Sequence, residues 1–190
     1  MDAPLFHAKH IYLSGVDPEE DSRVESDMTL DLDYAFWFNR GKPSCPLGVS
    51  EIKKYYENIQ KQNEETNKSF HFGIRRAEDK RLIGFIRFCQ IEWNHAAGRL
   101  EMAFGEQQIP GSWADEALLL ALNYAFSELN LFRLAAVTPA YDLEASRRFE
   151  KAGFMLEVRQ REAVYREGQF WDWLIYGMLA EDWAAGKEGV

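Results

Sequence analysis

The spacing of apolar residues changes period several times along the chain, and each change predicts a new element. Residues 9–16, "KHIYLSGV", read as a strand that ends at Asp17-Pro18. The acidic stretch 19–33 and "YAFWFN" at 34–39 predict one or two short helices. "RGKPSCPLG" at 40–48 reads as a loop. Ser50 has the character of a helix N-cap, with Glu51 favourable in the first turn. Ile52, Tyr55, Tyr56 and Ile59 then fall at i, i+3, i+4 and i+7, which gives this helix one apolar face before it fades into "KQNEETNKS".

Strand-like runs follow in close succession. "FHFGIRR" (70–76) leads through Glu78-Asp79 into "RLIGFIRFCQIEW" (81–93), and "NHAAG" turns that run into "RLEMAFG" (99–105). In the last of these Leu100, Met102 and Phe104 alternate with Arg99, Glu101 and Ala103. Short polar turns make this an antiparallel meander. Ser112-x-x-Asp115 has the form of a capping box, and the run 114–129 predicts a strong helix, apolar around most of its circumference. "LFRLAAVTPA" (131–140) reads as a buried strand. Asp142 can cap the helix "LEASRRFEKA", with Gly153 at its C′ position. The stretch from 154 to 179 then reads as two strands closed by Glu167-Gly168.

This order predicts a mixed α/β domain, not a doubly wound one. Residues 81–93 and 99–105 should pair antiparallel. The crossover through the long helix should set 99–105 parallel to 131–140, with a V-shaped opening between them. No repeat, linker or composition shift divides residues 1–190, so a single domain is expected.

Composition narrows the function. Hydrophobic residues at 46% and charged residues at 28% describe a folded globule. The net charge of −9 argues against nucleic acid, which needs clustered Lys and Arg, and favours a cationic acceptor. An anionic cofactor is still permitted, because a row of backbone amides can hold one locally. Cys45 and Cys89 lack metal-ligand spacing and are expected to be reduced thiols in a cytoplasmic protein. "MDAPLFHAKH" has no apolar leader segment, and no apolar run approaches membrane-spanning length. Asn67-Lys68-Ser69 matches a glycosylation acceptor by chance, and His7 with His10 lacks a nearby third metal ligand.

"ELNLFRLAAV", "EASRRFEKAGF" and "REAVYREGQFWDWLIYGML" resemble the closing half of the GCN5-related N-acetyltransferases (GNAT). Within that family they look like the branch containing the ribosomal-protein alanine acetyltransferases. "RLIGFIRF", "WNHAAG" and "DEALLLALNYAFSELN" fit the same branch, so the resemblance spans roughly residues 9 to 183. It implies an acyl-CoA N-acyltransferase fold with two crossover helices and a C-terminal hairpin. The implied activity is acetyl transfer from acetyl-CoA, without a metal, to a primary amine: a protein N-terminus, a small amine or an aminoglycoside-like compound. A monomer or homodimer is expected. The alternative is a non-catalytic module that keeps the fold and has lost the cofactor loop.

The resemblance also implies a site. Backbone N–H groups at the end of the third meander strand, here Met102, Ala103 and Phe104, would stabilise the oxyanion. The loop opening the long helix would hold the pyrophosphate through Ile109, Gly111, Ser112, Trp113 and Ala114. That loop departs from the family pattern. Ile109 stands at the amide or basic position and Ser112 at the glycine, unless a one-residue shift lets Gly111 serve. Pro110 removes a donor, and no Lys or Arg occurs between Glu106 and Asp115. A plain loop and helix cap is the alternative reading, and Ser112 would be strained if it needed a positive φ.

Asp142 stands at the family's asparagine and Phe149 at its thiolate-protonating tyrosine. Arg147, with Arg148, could meet the outer phosphate or simply face solvent. Glu101 is the first candidate for the general base, against an outward-facing strand carboxylate. Tyr165 and Asp172 are candidates for the acceptor amine. Phe170, Trp171 and Trp173 read as core more readily than as site.

Overall fold

A computed structural model describes residues 5–38, 43–105 and 109–188, with the backbone alone at 65, 187 and 188. The strands are β1 (Ile11–Ser14), β2 (Phe70–Arg76), β3 (Leu82–Glu92), β4 (Ala97–Phe104), β5 (Arg133–Pro139), β6 (Met155–Arg166) and β7 (Gln169–Leu179). The helices are α1 (Asp21–Met28), α2 (Leu32–Phe38), α3 (Val49–Thr66), α4 (Gly111–Asn123), α5 (Leu143–Lys151) and α6 (Ala180–Glu188). The sheet has seven strands in the order β1-β2-β3-β4-β5-β7-β6. By packing, the chain divides into two compact units. Unit 1 comprises residues 1–89 and 101–121, and unit 2 comprises 90–100 and 122–190, so β3 and β4 contribute to both.

In unit 1, β1 pairs antiparallel with β2, and β2 with β3. The β3–β4 connection is too short for anything but an antiparallel hairpin. Gly105 N–H donates to the Ile83 carbonyl at 2.9 Å beyond its end. Met28, Tyr34, Phe38, Ile52, Tyr56, Leu82, Phe85 and Ala103 form one buried cluster joining α1, α2 and α3 to strands β3 and β4. The spacing read for α3 is correct: Ile52 and Tyr56 are buried, Tyr55 and Ile59 half-buried. Its cap is not Ser50. Gly48 is the N-cap, and its N–H donates to the Glu51 carboxylate at 2.9 Å, leaving Ser50 inside the first turn. Asn67 ends the helix at φ 48°, a left-handed conformation that Asn tolerates.

The predicted long helix also differs. It starts at Gly111, runs to Asn123 and continues as a π-helical turn, Tyr124–Glu128. Leu129 N–H reaches back to the Tyr124 carbonyl at 3.0 Å.

In unit 2, β4 pairs parallel with β5 at four register positions, from Ala97↔Arg133 to Leu100↔Ala136. The antiparallel pairs β5–β7 and β6–β7 complete it. Asp142 caps α5 as expected, accepting from Ala145 N–H at 2.9 Å. Gly153 follows it at φ 98°, where a Cβ would be strained. Glu167 and Gly168 both have positive φ, 51° and 81°, the requirement of a type I′ hairpin turn. α6 is absent from the sequence reading. Among the described residues no helix is long and apolar enough to cross a membrane.

Candidate active site

Two strand ends and a helix start carry the expected chemistry. β4 continues to Phe104 and β5 to Pro139, while their register stops at Leu100↔Ala136. A strand that loses its neighbour leaves alternate N–H groups without a ladder partner. Met102, Ala103 and Phe104 lie on that last part of β4. Two glycines fit it to its surroundings within unit 1. A Cβ on Gly84 would fall 2.2 Å from the Ala103 carbonyl oxygen, so β3 can approach β4 here only as glycine. A Cβ on Gly105 would fall 2.2 Å from Met28 Cγ, so the last residue of α1 rests on the end of β4.

The first turn of α4 presents Gly111 and Ser112 to solvent, with Trp113 half-buried and Ala114 fully buried. Trp113 N–H donates back to the Pro110 carbonyl at 2.9 Å. Trp113 stacks on His10 at 6.1 Å, and Glu116 accepts from both His10 N–H and the His10 ring, at 2.9 and 2.6 Å. The turn is therefore anchored on its inner side. Nothing lies within 4 Å of a Cβ built on Gly111. Ser112 is not among the residues with positive φ, so the strain considered for it does not arise. Among the described residues the N–H groups of Gly111 and Ser112 meet no acceptor, and such a first turn fits a pyrophosphate. Ile109 is half-buried beside it, and Glu106, Gln107 and Gln108 lie outside the described residues.

A buried polar layer that the sequence reading missed lies beneath α1, α2 and α3. His71 and Arg87 are cross-strand partners on β2 and β3. Arg87 donates to Glu101 Oε2 from Nε at 2.8 Å and from Nη2 at 2.5 Å, to the Trp37 carbonyl at 3.0 Å, and to the Tyr55 hydroxyl. Glu101 is thus neither outward-facing nor unengaged: it is buried as the counter-ion of Arg87. Asp21 is likewise buried, against Arg75 at 2.8 Å.

Glu25 is different. It is 1% exposed, and its oxygens accept from the Tyr34 hydroxyl at 2.7 Å and from the Tyr56 hydroxyl. Burial pushes its carboxyl up to about 7, against the opposing pull of the Tyr56 and Tyr34 hydrogen bonds. His71 packs on the rings of Phe85 and Tyr56 at 5.2 and 5.3 Å. The residue as a whole is half-buried, but both ring nitrogens are shielded and have no hydrogen-bond partner among the described residues. Burial, with Arg87 nearby, lowers its pKa to about 3, so the ring is neutral.

In unit 2 the expected residues are scattered among different roles. Asp142 is occupied as a helix cap, Arg147 is exposed, and Phe149 is core, packed on Phe154 and Tyr176 at 5.4 and 5.6 Å. Tyr165 is 65% exposed and packs on exposed Phe170 at 5.0 Å. Asp172 accepts from Glu162 N–H at 3.0 Å and faces Arg159 at 3.5 Å. Of the three aromatics read as core, only Trp173 is buried; Trp171 is half-buried against Tyr141 and Phe170 is out.

Comparison with known proteins fits this arrangement. Residues 18–155 match the family model of the acetyltransferase (GNAT) domain. The chain is 34% identical over 136 residues to the probable N-acetyltransferase YjcK of Bacillus subtilis, covering 69% of this chain and 70% of that protein. It is 25% identical over 122 residues to the spermidine N(1)-acetyltransferase of Vibrio cholerae, covering 62% of this chain and 70% of that one. The crystal structure of spermidine N-acetyltransferase from Vibrio cholerae in complex with CoA and spermine shares its fold, with a TM-score of 0.75 over 92% of this chain and 98% of that one at 19% identity. The chain belongs to the GNAT acetyltransferase family and is an N-acetyltransferase.

Proposed function

We propose that this enzyme works as one domain in the cytoplasm and moves the acetyl group of acetyl-CoA to a primary amine of a small cation. The observation that carries the choice of acceptor is the acidic balance, 31 Asp and Glu against 22 Lys and Arg. The spermidine acetyltransferase relative supports the same direction. A protein N-terminus, the acceptor implied by the ribosomal-protein-alanine branch, offers a single α-ammonium and so gains less from the charge than a small polycation does.

Acetyl-CoA, as second substrate, supplies the activated thioester. The N–H groups of Gly111 and Ser112, with Trp113 and Ala114 holding the turn and Ile109 beside it, receive the pyrophosphate. Backbone N–H groups among Met102, Ala103 and Phe104 stabilise the charge that develops on the carbonyl oxygen during attack. The same proposal assigns exposed Arg147 to a phosphate, and Tyr165 with Asp172 to the acceptor. The positions of Asp142 and Phe149 leave them helix-capping and packing roles.

Thermal melts with and without acetyl-CoA test the reading. At about 100 times the dissociation constant, linkage gives roughly 2.7 kcal/mol. For this size of chain that is a rise of on the order of 5–10 °C. Ser112→Glu should abolish the rise by placing a carboxylate where the phosphates sit, while the exposed position keeps the helix intact. A flat response in the native protein would instead mark a non-catalytic module that has lost its cofactor loop.

A further inference from the structure

The buried carboxylates of unit 1 are not equivalent. Asp21 is tied to Arg75 and Glu101 to Arg87, so each already has a cation. Glu25 has only two phenols, and among the described residues no cation touches it. A carboxylate buried without a cation is costly unless it holds a proton or meets a cationic ligand. Against the ring of the same Tyr56, His71 offers two ring nitrogens that have no hydrogen-bond partner among the described residues. Glu25 is also placed near the chemistry, because Met28, one turn further along α1, rests on Gly105 at the end of β4.

We infer that Glu25, acting through the Tyr56 hydroxyl, takes the proton from the acceptor ammonium. The inference rests on the acetyltransferase reading above and deepens it. His71, neutral, accepts one N–H of the ammonium. A second proton passes to the Tyr56 phenol oxygen as the phenol's own proton moves to Glu25 Oε2. The freed lone pair forms the C–N bond to the thioester carbonyl and the C–S bond breaks. Of the two protons then on the acylated nitrogen, one neutralises the departing thiolate and the other stays as the amide N–H, and Glu25 releases its proton to solvent. A base titrating near neutrality is suited to this task, and Glu101, held by Arg87, is not free to perform it. The charged and titratable groups that act on Glu25 are Asp21 on its own helix, Tyr34 on α2, Tyr55 and Tyr56 on α3, and Arg87 on the sheet; behind them His71 packs on Tyr56, Arg75 pairs with Asp21 and Glu101 with Arg87.

The experiment is the pH profile of kcat/KM with acetyl-CoA and spermidine as the amine probe, for the native enzyme, Glu25→Gln and Tyr56→Phe. The native profile should rise along an acid limb near neutrality. Glu25→Gln should lose about 10²-fold or more and lose that limb. Tyr56→Phe removes the relay and should also lose about 10²-fold, with its residual limb moved to higher pH because a hydrogen bond that favours the charged carboxylate is gone. A merely structural Glu25 would move neither limb. The acetyl-CoA melt shift, measured on the same proteins, separates the failures. Retained melt shifts with Glu25→Gln activity within about twofold and an unchanged limb overturn the inference alone. So does loss of the melt shift in Glu25→Gln. A native enzyme that shows the shift but does not turn over spermidine overturns the small-cation acceptor and this inference with it. A native protein without a melt shift overturns the acetyltransferase site and this inference together.

Discussion

Charge is handled in opposite ways in the two units. Unit 1 sinks Asp21, Glu25, Arg87 and Glu101 below the surface. Unit 2 keeps its ion pairs outside: Arg133 with Glu157 and Arg159 with Asp172 all retain solvent exposure. Taking ions out of water is expensive, and a well-packed apolar core is often as stable without them. The layer in unit 1 is therefore poorly explained as reinforcement. It is better explained as a set of charges held for use, with unit 2 showing what the same chain does when charge has only to solubilise an edge.

The most severe way to break this comparison is to orphan one buried charge. Arg87→Met removes the cation bound to buried Glu101 and the donor to Tyr55 and the Trp37 carbonyl. A loss of about 3–5 kcal/mol is expected by urea denaturation. The double variant Arg87→Met with Glu101→Leu should recover most of it, because position 101 then carries no buried charge. If the double variant is as unstable as the single one, the layer is structural packing and the contrast fails.

A smaller effect comes from proton linkage. The folded pKa of Glu25 is raised from an ordinary 4.5 to about 7, so the folded state binds that proton more tightly than the unfolded chain. Its contribution is fully present below pH 4.5 and is lost as pH rises to about 7. His71 has the opposite sign: its pKa is lowered from 6.5 to about 3, so its contribution is present above pH 6.5 and lost as pH falls toward 3. The two slopes oppose each other between pH 4.5 and 6.5, which hides both in the native protein alone. Glu25→Gln separates them. Relative to the native protein it should gain on the order of 3 kcal/mol between pH 5 and pH 8, read from urea melts at both. A pH-independent difference would mean that Glu25 titrates normally.

These groups explain what the sequence could and could not disclose. Local rules were enough for α5, whose Asp142 cap and Gly153 stop act within a few residues, and for the Glu167-Gly168 turn. They were also enough for the meander and the parallel contact to β5. Helix starts were less legible. Gly48 serves as a cap through its backbone alone, and α4 begins one residue before the serine that resembled a cap. The polar layer was not legible at all. Glu25 sits in an acidic run that reads as a wet helix face, and Tyr55 and Tyr56 read as an apolar stripe. Only register brings Arg87 opposite His71, and only tertiary packing brings Glu25 under the two phenols. Glu101 was singled out by its strand position, but the arginine that it is buried against lies fourteen residues away on the neighbouring strand.

The smallest expected effect lies on the other side of the comparison. Arg133→Ala removes the guanidinium that binds Glu157 and holds its carboxyl below the usual range. The two side chains are 37% and 30% exposed, so water already screens them and ordering two long side chains offsets much of the attraction. The loss should be at most about 1 kcal/mol at low salt. It should shrink further at 1 M NaCl, where the screening length is roughly 3 Å. The Arg87→Met loss should be nearly unchanged by the same salt, because its pair is buried. The Glu157 carboxylate also lies over Gly177, where a Cβ would fall 2.3 Å from its Oε1, so the glutamate is partly held by shape even without its arginine. Urea melts of both variants at low and high salt measure the contrast directly. An Arg133→Ala loss above about 2 kcal/mol that persists in salt would show that unit 2 depends on its charges as much as unit 1 does.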